Sequence, residues 1–366
     1  MNYNFNQVIP RIGTSCGKWD SKEVYRTKQV IPMWVADMDF PVAEPIMKCI
    51  RKRAEHPVMG YAHRGKDFSE ITSQWMEKRH GWYIEPGWVT FSPGMVPAIS
   101  AAIQALTKPG EGVLIQPPVY YPFSGTVNAC KRKLVENPLK VSEGKYRMDY
   151  EDLEAKFKTE NVRLMILCNP HNPVGRVYTK EELWKLGELC LKYNVLIFSD
   201  EIHSDLILKG HRHTPLASLS GELSQITLTG VTPSKTFNLA GLQTSAVICK
   251  NQKLRRDFDS AIRMNGIQFP NIFGLEAFKS AYTEGQDYLE QLLVYLESNY
   301  TYCKRFFAQR LKPLRTTELE GTYLLWFDCR ELQMDCEKLD GFMLNQAHLG
   351  LDSGYLFGNQ GRDLCG

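Results

Sequence analysis

Five short apolar runs constrain this chain more than anything else in it: residues 113–116, 164–168, 195–198, 226–229 and 245–249. Each has the length of a strand, and none alternates strictly between apolar and polar. A strand with one face in water alternates, whereas a strand covered on both faces need not. Between the second and third runs lies a stretch with a different period, residues 179–192. There Thr179, with Glu182 three residues on, makes a capping box. Leu183, Leu186, Leu189 and Cys190 then fall on one helical face. Strand, helix and strand in succession imply an α/β fold, a largely parallel sheet with helices over its faces.

A chain of 366 residues exceeds one small core, so a large and a smaller domain are expected. The pattern changes after about residue 275. A long helical stretch over 275–311 leads to 320–328, which reads as a strand of the smaller domain. The expected division is a large domain over 51–280 and a small domain over 281–366, with the segment 1–50 joined to the small one. Lys and Arg number 44 against 41 Asp and Glu, a net charge of +3. That balance gives no reason to expect nucleic acid or an anionic membrane as partner. No run approaches the roughly 18 apolar residues of a membrane span, and the first residues lack a signal-peptide pattern. The ten cysteines are scattered with no Cys-x-x-Cys pair, as expected of free thiols in a reducing cytoplasm. His211 and His213 have no further ligand at metal-binding spacing, so no metal is expected.

Open α/β sheets bind ligands beyond the carboxyl ends of their strands. Cys168, Phe198 and Thr229 end three of the runs, and Asn172, Asp200 and Lys235 follow them within a few residues. Singly, each has a duller reading: a solvated lysine, a turn aspartate, a loop asparagine. In this order they have the layout of a pyridoxal-phosphate site. A lysine that bonds an aldehyde cofactor must shed its proton, which burial promotes. A carboxylate such as Asp200 keeps the cofactor's ring nitrogen protonated. Residues 92–99 follow a strand-like run and open a helical pattern, where backbone N–H groups suit a phosphate. Thr232 and Ser234 offer hydroxyls, and the aromatic residues of 119–123 offer a platform for the ring.

Taken together, these runs resemble the fold-type-I pyridoxal-phosphate enzymes of the class I/II aminotransferase superfamily. More narrowly, they resemble its cystathionine β-lyase branch, the MalY/PatB-type C–S lyases. The resemblance spans almost the whole chain. It rests on Met33-Trp34-Val35-Ala36-Asp37-Met38-Asp39-Phe40, Gly60-Tyr61, Pro118-Val119-Tyr120, Asn169-Pro170-His171-Asn172-Pro173, Ser199-Asp200-Glu201-Ile202-His203, Pro233-Ser234-Lys235-Thr236-Phe237-Asn238 and Glu320-Gly321-Thr322-Tyr323.

What the resemblance implies is specific. Lys235 would hold the cofactor covalently and move the substrate Cα proton. Asp200 would pair with the ring nitrogen, while Asn172 and His203 face the phenolic oxygen. Tyr120 would stack on the ring. Backbone at Gly94, Met95 and Val96, with Thr232 and Ser234, would hold the phosphate. Tyr61 would reach the phosphate of a neighbouring subunit, which implies a homodimer. The activity implied is α,β-elimination from L-cystathionine or a related cysteine S-conjugate, giving thiol, pyruvate and ammonia. An aminotransferase, or a regulatory pyridoxal-phosphate-binding protein, are the alternatives. Residues 351–366 resemble a family stretch in which an arginine binds the substrate α-carboxylate. Gly366 stands at that position and Arg362 is off register, so the small domain is expected to be incomplete.

Overall fold

Seven strands form the central sheet of the computed structural model, which describes residues 1–21, 29–142, 144–312, 314–358, 361 and 364–365. The strands are β1 (Val89–Ser92), β2 (Gly112–Ile115), β3 (Lys133–Glu136), β4 (Val162–Cys168), β5 (Leu196–Asp200), β6 (Thr227–Val231) and β7 (Ser245–Ile248). Their order is β1-β7-β6-β5-β4-β2-β3. All five expected runs are strands, with ends displaced by at most two residues. From β6 to β3 every neighbouring pair is parallel. β7 runs antiparallel to both β1 and β6. The connection explains this reversal. Only the four-residue helix Pro233–Thr236 and the turn Ala240–Leu242 separate β6 from β7. Neither is long enough to run back along the sheet as a crossover helix does.

Apolar residues on β4 sort between the two faces by the two-residue period of a strand. Leu164 and Ile166 join one core with Ile99, Ile103, Phe198 and Phe258. Met165 and Leu167 join the other with Ile197, Leu183 and Leu186. This double burial is why the sequence shows no alternation. The helix Lys180–Tyr193 carries the expected capping box: Glu182 N donates to Thr179 Oγ1 at 3.2 Å, and Thr179 N to Glu182 Oε2 at 2.8 Å. It stops at Asn194, in the left-handed region at φ 55°.

Two expectations are corrected. The single helix over 275–311 is two, Ile272–Glu284 and Gln286–Arg310, divided at Gly285. A side chain at 285 would run into the Phe237 ring and the Ala281 carbonyl, so close packing fixes a glycine where it weakens the helix. Residues 320–328 do not form one strand. Only Phe327–Asp328 is a strand, antiparallel to Arg315–Thr316 and to Leu364–Cys365. Glu320 to Thr322 is irregular instead, with Gly321 in an isolated bridge to Ile207, because its backbone is claimed elsewhere. Glu320 N and Gly321 N donate to Gly175 O, and Thr322 N to Leu206 O at 2.7 Å. Arg362 and Gly366 lie outside the described residues.

No helix among the described residues is long and apolar enough to cross a membrane. Among them, no group of three or more His, Cys, Asp or Glu is placed to hold a metal ion.

Candidate active site

At the carboxyl edge of the sheet, Cys168, Asp200 and Gly230 stand side by side on β4, β5 and β6. The loops leaving these strands converge on one cleft of about 680 Å³, lined among others by Ala36, Tyr120, Asn172, Lys235 and Phe357. Three residues spread over 63 positions of sequence are brought together by parallel strand order alone.

Lys235 lies in the last turn of Pro233–Thr236, right after β6. Thr232 caps that turn by accepting from Ser234 N at 3.1 Å, and its own proton goes to Thr244 O at 2.9 Å. Thr232 therefore spends its hydroxyl on the lysine's turn, which bears on the phosphate contact expected of it. Ser234 is half-buried beside it. Lys235 Nζ donates to Ala36 O at 2.7 Å. Burial pulls the Lys235 pKa down, against the opposing pull of Asp37 and Asp200. A cation with little water around it loses its proton more readily.

Asp200, only 3% exposed, ends β5. Burial pushes its carboxyl up to about 7, with Ile202 N (3.2 Å to Oδ1) and Lys235 acting the other way. His203 is buried three residues on, and neither ring nitrogen has a hydrogen-bond partner. Burial, then the charge of Lys235, depress its pKa to about 3. Asn172 is buried too; its N–H donates to Cys168 Sγ at 3.4 Å and its carbonyl accepts from Tyr120 N at 3.0 Å. Those backbone bonds leave its side chain to the cleft. The Tyr120 hydroxyl is raised to about 12, first by burial and then by Asp200, so it keeps its proton.

The helix Met95–Leu106 starts nearby with Gly94 as N-cap, and no side chain caps it. The first N–H groups of a helix have no partner within it, so Met95 and Val96 present donors to an anion. Gly230 on β6 has no room for a side chain, since Met95 and the Phe198 ring fill that space. Tyr61 is not among the residues lining the cleft: it is 87% exposed and its ring packs on Phe269 at 4.8 Å.

Buried polar groups without partners are costly, by about 1–3 kcal/mol each. The unpartnered His203 nitrogens and the desolvated Asp200 carboxyl therefore fit a polar aromatic ligand. Pyridoxal phosphate matches the set: a ring nitrogen for Asp200, a phenolic oxygen for Asn172 and His203, an aldehyde for Lys235, and a phosphate for the Gly94–Val96 backbone. Sequence reasoning gave no role to Ala36 or Tyr323. Tyr323 donates to Ala36 O at 2.9 Å and meets the His203 ring edge-on at 6.0 Å. Neither could be found by spacing, because Ala36 lies 199 residues from Lys235 and 287 from Tyr323.

The Asp200 carboxyl gives a pH test. Its folded pKa is raised, so its contribution to stability is fullest below about pH 4, where the unfolded carboxyl is also protonated. That contribution is lost as pH rises through about 7. Cofactor-free Asp200→Asn, which cannot ionise, is therefore expected to be more stable than the parent above this window. Urea midpoints should converge below it, and a gap independent of pH would contradict the desolvated carboxyl.

Comparison with known proteins places the chain in a family. Residues 28–362 match the family described as aminotransferase class I and II. The chain is 42% identical over 359 residues to cystathionine beta-lyase PatB of Bacillus subtilis (strain 168), covering 98% of this chain and 93% of that protein. It is 29% identical to protein MalY of Escherichia coli (strain K12), covering 98% and 92%. Among solved structures, a PLP-bound putative aminotransferase from Clostridium difficile 630 superposes with a TM-score of 0.96 at 43% identity, over 100% of this chain and 94% of that one. Cystalysin from Treponema denticola, which contains pyridoxal 5'-phosphate, gives 0.96 at 35% identity, over 100% and 93%. With its lysine, aspartate and asparagine gathered at the carboxyl edge of such a sheet, this chain belongs to the aminotransferase class I and II family.

Proposed function

We propose that the chain is a pyridoxal-phosphate-dependent carbon–sulfur β-lyase that cleaves L-cystathionine or related cysteine S-conjugates. The observation that carries this reading is Lys235 and Asn172 lining one cleft, with the buried Asp200 close enough for the charge of Lys235 to act on its carboxyl. The likeness to a cystathionine beta-lyase over 98% of the chain supports the choice of chemistry.

Pyridoxal phosphate, when bound, supplies an electron-withdrawing ring that stabilises negative charge at the substrate Cα. Lys235 takes the Cα proton, for which its lowered pKa suits it. Asp200 faces the ring nitrogen, where a positive partner would draw its carboxyl back towards the charged form. Asn172 and His203 would direct hydrogen bonds to the phenolic oxygen. Tyr120 would pack against the ring face, and the backbone of Gly94, Met95 and Val96, with Ser234, would hold the phosphate, Thr232 supporting the turn that carries Lys235. The net reaction adds one water and yields a thiol, pyruvate and ammonia.

The working unit we infer is a homodimer in which Tyr61 serves the partner's site. Its near-complete exposure, next to exposed Val58, Met59 and Phe269, supports this. The segment 1–50 is assigned to the small domain with 281–366, on the pairing of Ile31–Pro32 with Leu349–Gly350. A cytoplasmic location accords with the free thiols of the described cysteines.

Incubation of the cofactor-loaded protein with cystathionine tests the reaction. Thiol and pyruvate should appear in equal amounts with no keto acid added. Amino transfer to an added keto acid without pyruvate would instead identify an aminotransferase.

A further inference from the structure

Three segments far apart in sequence meet at one backbone oxygen. Ala36 O accepts from Lys235 Nζ at 2.7 Å and from the Tyr323 hydroxyl at 2.9 Å. The contact uses the main chain of Ala36, so no side chain at position 36 announces it.

Each participant is held by its own framework. Asn238 sits three residues past Lys235 in the left-handed region, at φ 60°. Its Oδ1 accepts from Met38 N at 3.1 Å, and its Nδ2 donates to Met38 O at 2.8 Å and Phe40 O at 3.1 Å. The loop that carries the lysine thus clamps the strand of chain that carries its acceptor. On the far side of that segment, Arg11 bonds Asp37 and Asp39, both at 2.7 Å. The buried Lys18 donates to Asp37 O at 3.0 Å. Tyr323 leaves the segment welded to Gly175 and Leu206, and burial raises its phenol so that it stays a donor.

A nearly buried ammonium is costly unless an acceptor meets it. Where the pair of donors shares one carbonyl, the phenol fixes the oxygen's direction and the amine uses its remaining lone pair. We propose that the Ala36 carbonyl, held by Asn238 and Tyr323, is the acceptor for the Lys235 ammonium formed when the amine takes the substrate Cα proton. Asn238 and Tyr323 are then positioning residues of the lyase reaction. In that step the Cα–H bond breaks and a third N–H bond forms on Nζ. The electron pair stays with Cα and then expels the thiolate from Cβ. The ammonium returns its proton to that thiolate, directly or through solvent, and is neutral again. The proposal rests on Lys235 being the proton-moving amine.

The test measures Lys235 itself. The full-length, cofactor-free chain is labelled with trace acetic anhydride across pH, and acetylation at Lys235 is read by mass spectrometry. Asn238→Ala is expected to lower the apparent pKa of Lys235 by about one unit, the worth of one hydrogen bond to a charged group. Tyr323→Phe, which removes one hydroxyl and keeps the ring, is expected to shift it in the same direction by less. In the holoenzyme in D₂O, Tyr323→Phe should slow Cα deuteration of L-alanine about tenfold, less than the roughly hundredfold or more of losing the proton-transfer group itself. If Asn238→Ala does not fold, Tyr323→Phe decides alone. Unchanged or raised Lys235 pKa in the folded variants overturns the proposal. If Lys235→Ala still releases pyruvate, the reading of Lys235 fails first. If that variant is inactive while the labelling profiles coincide, only the Ala36 acceptor is disproved.

Discussion

Replacing Lys235 by alanine is expected to abolish pyruvate release from cystathionine, by at least about a thousandfold, the scale of a lost general base. It should also abolish the visible absorbance band of covalently attached pyridoxal phosphate. The size follows from the surroundings of the amine. The titratable groups around Lys235 are poorly placed to replace it. Burial holds Tyr120 at about 12 and pushes Tyr323 well above the ordinary phenol range, so both keep their protons. His203, depressed to about 3, is a poor base. Asp200 at about 7 has the right affinity but is the residue proposed to face the ring nitrogen. Lys235→Arg should fail as well, because a guanidinium does not deprotonate in proteins. A spectrum that keeps its visible band in Lys235→Ala would place the attachment elsewhere.

The second large effect is expected on stability. Arg176 is buried, and it reaches Glu320 Oε2 through Nε at 2.8 Å and Glu182 Oε2 through Nη2 at 2.8 Å. A third bond goes to Tyr146 O at 2.6 Å. Arg176→Ala leaves the buried Glu320 with only Val177 N at 2.9 Å and the half-exposed Lys145. Removing one partner of a buried ion pair costs about 3–5 kcal/mol, a large share of the stability of a typical fold. The loss should also reach catalysis, since Glu320 anchors the segment from which Tyr323 leaves. A denaturant midpoint unchanged in Arg176→Ala would show that Glu182 and Glu320 are satisfied by water. At a temperature where the variant stays folded, its thiol release should fall in parallel with that of Tyr323→Phe.

Much of the fold was legible in the chain. Doubly buried strands betray themselves by lacking alternation, and the Thr179–Glu182 box marked a helix start that forms as written. Asn172, Asp200 and Lys235 stood out because parallel strands deliver their following loops to one edge. Other features were not legible. The split at Gly285 depends on the Phe237 ring that crowds it, and that ring is 48 residues away in sequence. The stretch 320–328 has strand-like composition, yet hydrogen bonds to Gly175 and Leu206 keep its first part irregular.

The sequence by itself determined the sheet, because burial on both faces leaves a pattern in the residues of each strand. It also determined the residue types of the site, because nucleophile, carboxylate and amide must be present as side chains. Only the tertiary structure decided what those side chains face. The antiparallel turn of β7, the solvent-poor surroundings that push Asp200 up and Lys235 down, and the shared Ala36 carbonyl all arise from groups distant in sequence. A backbone oxygen is the same at every residue. Its value as an acceptor exists only once Asn238 and Tyr323 have been folded against it.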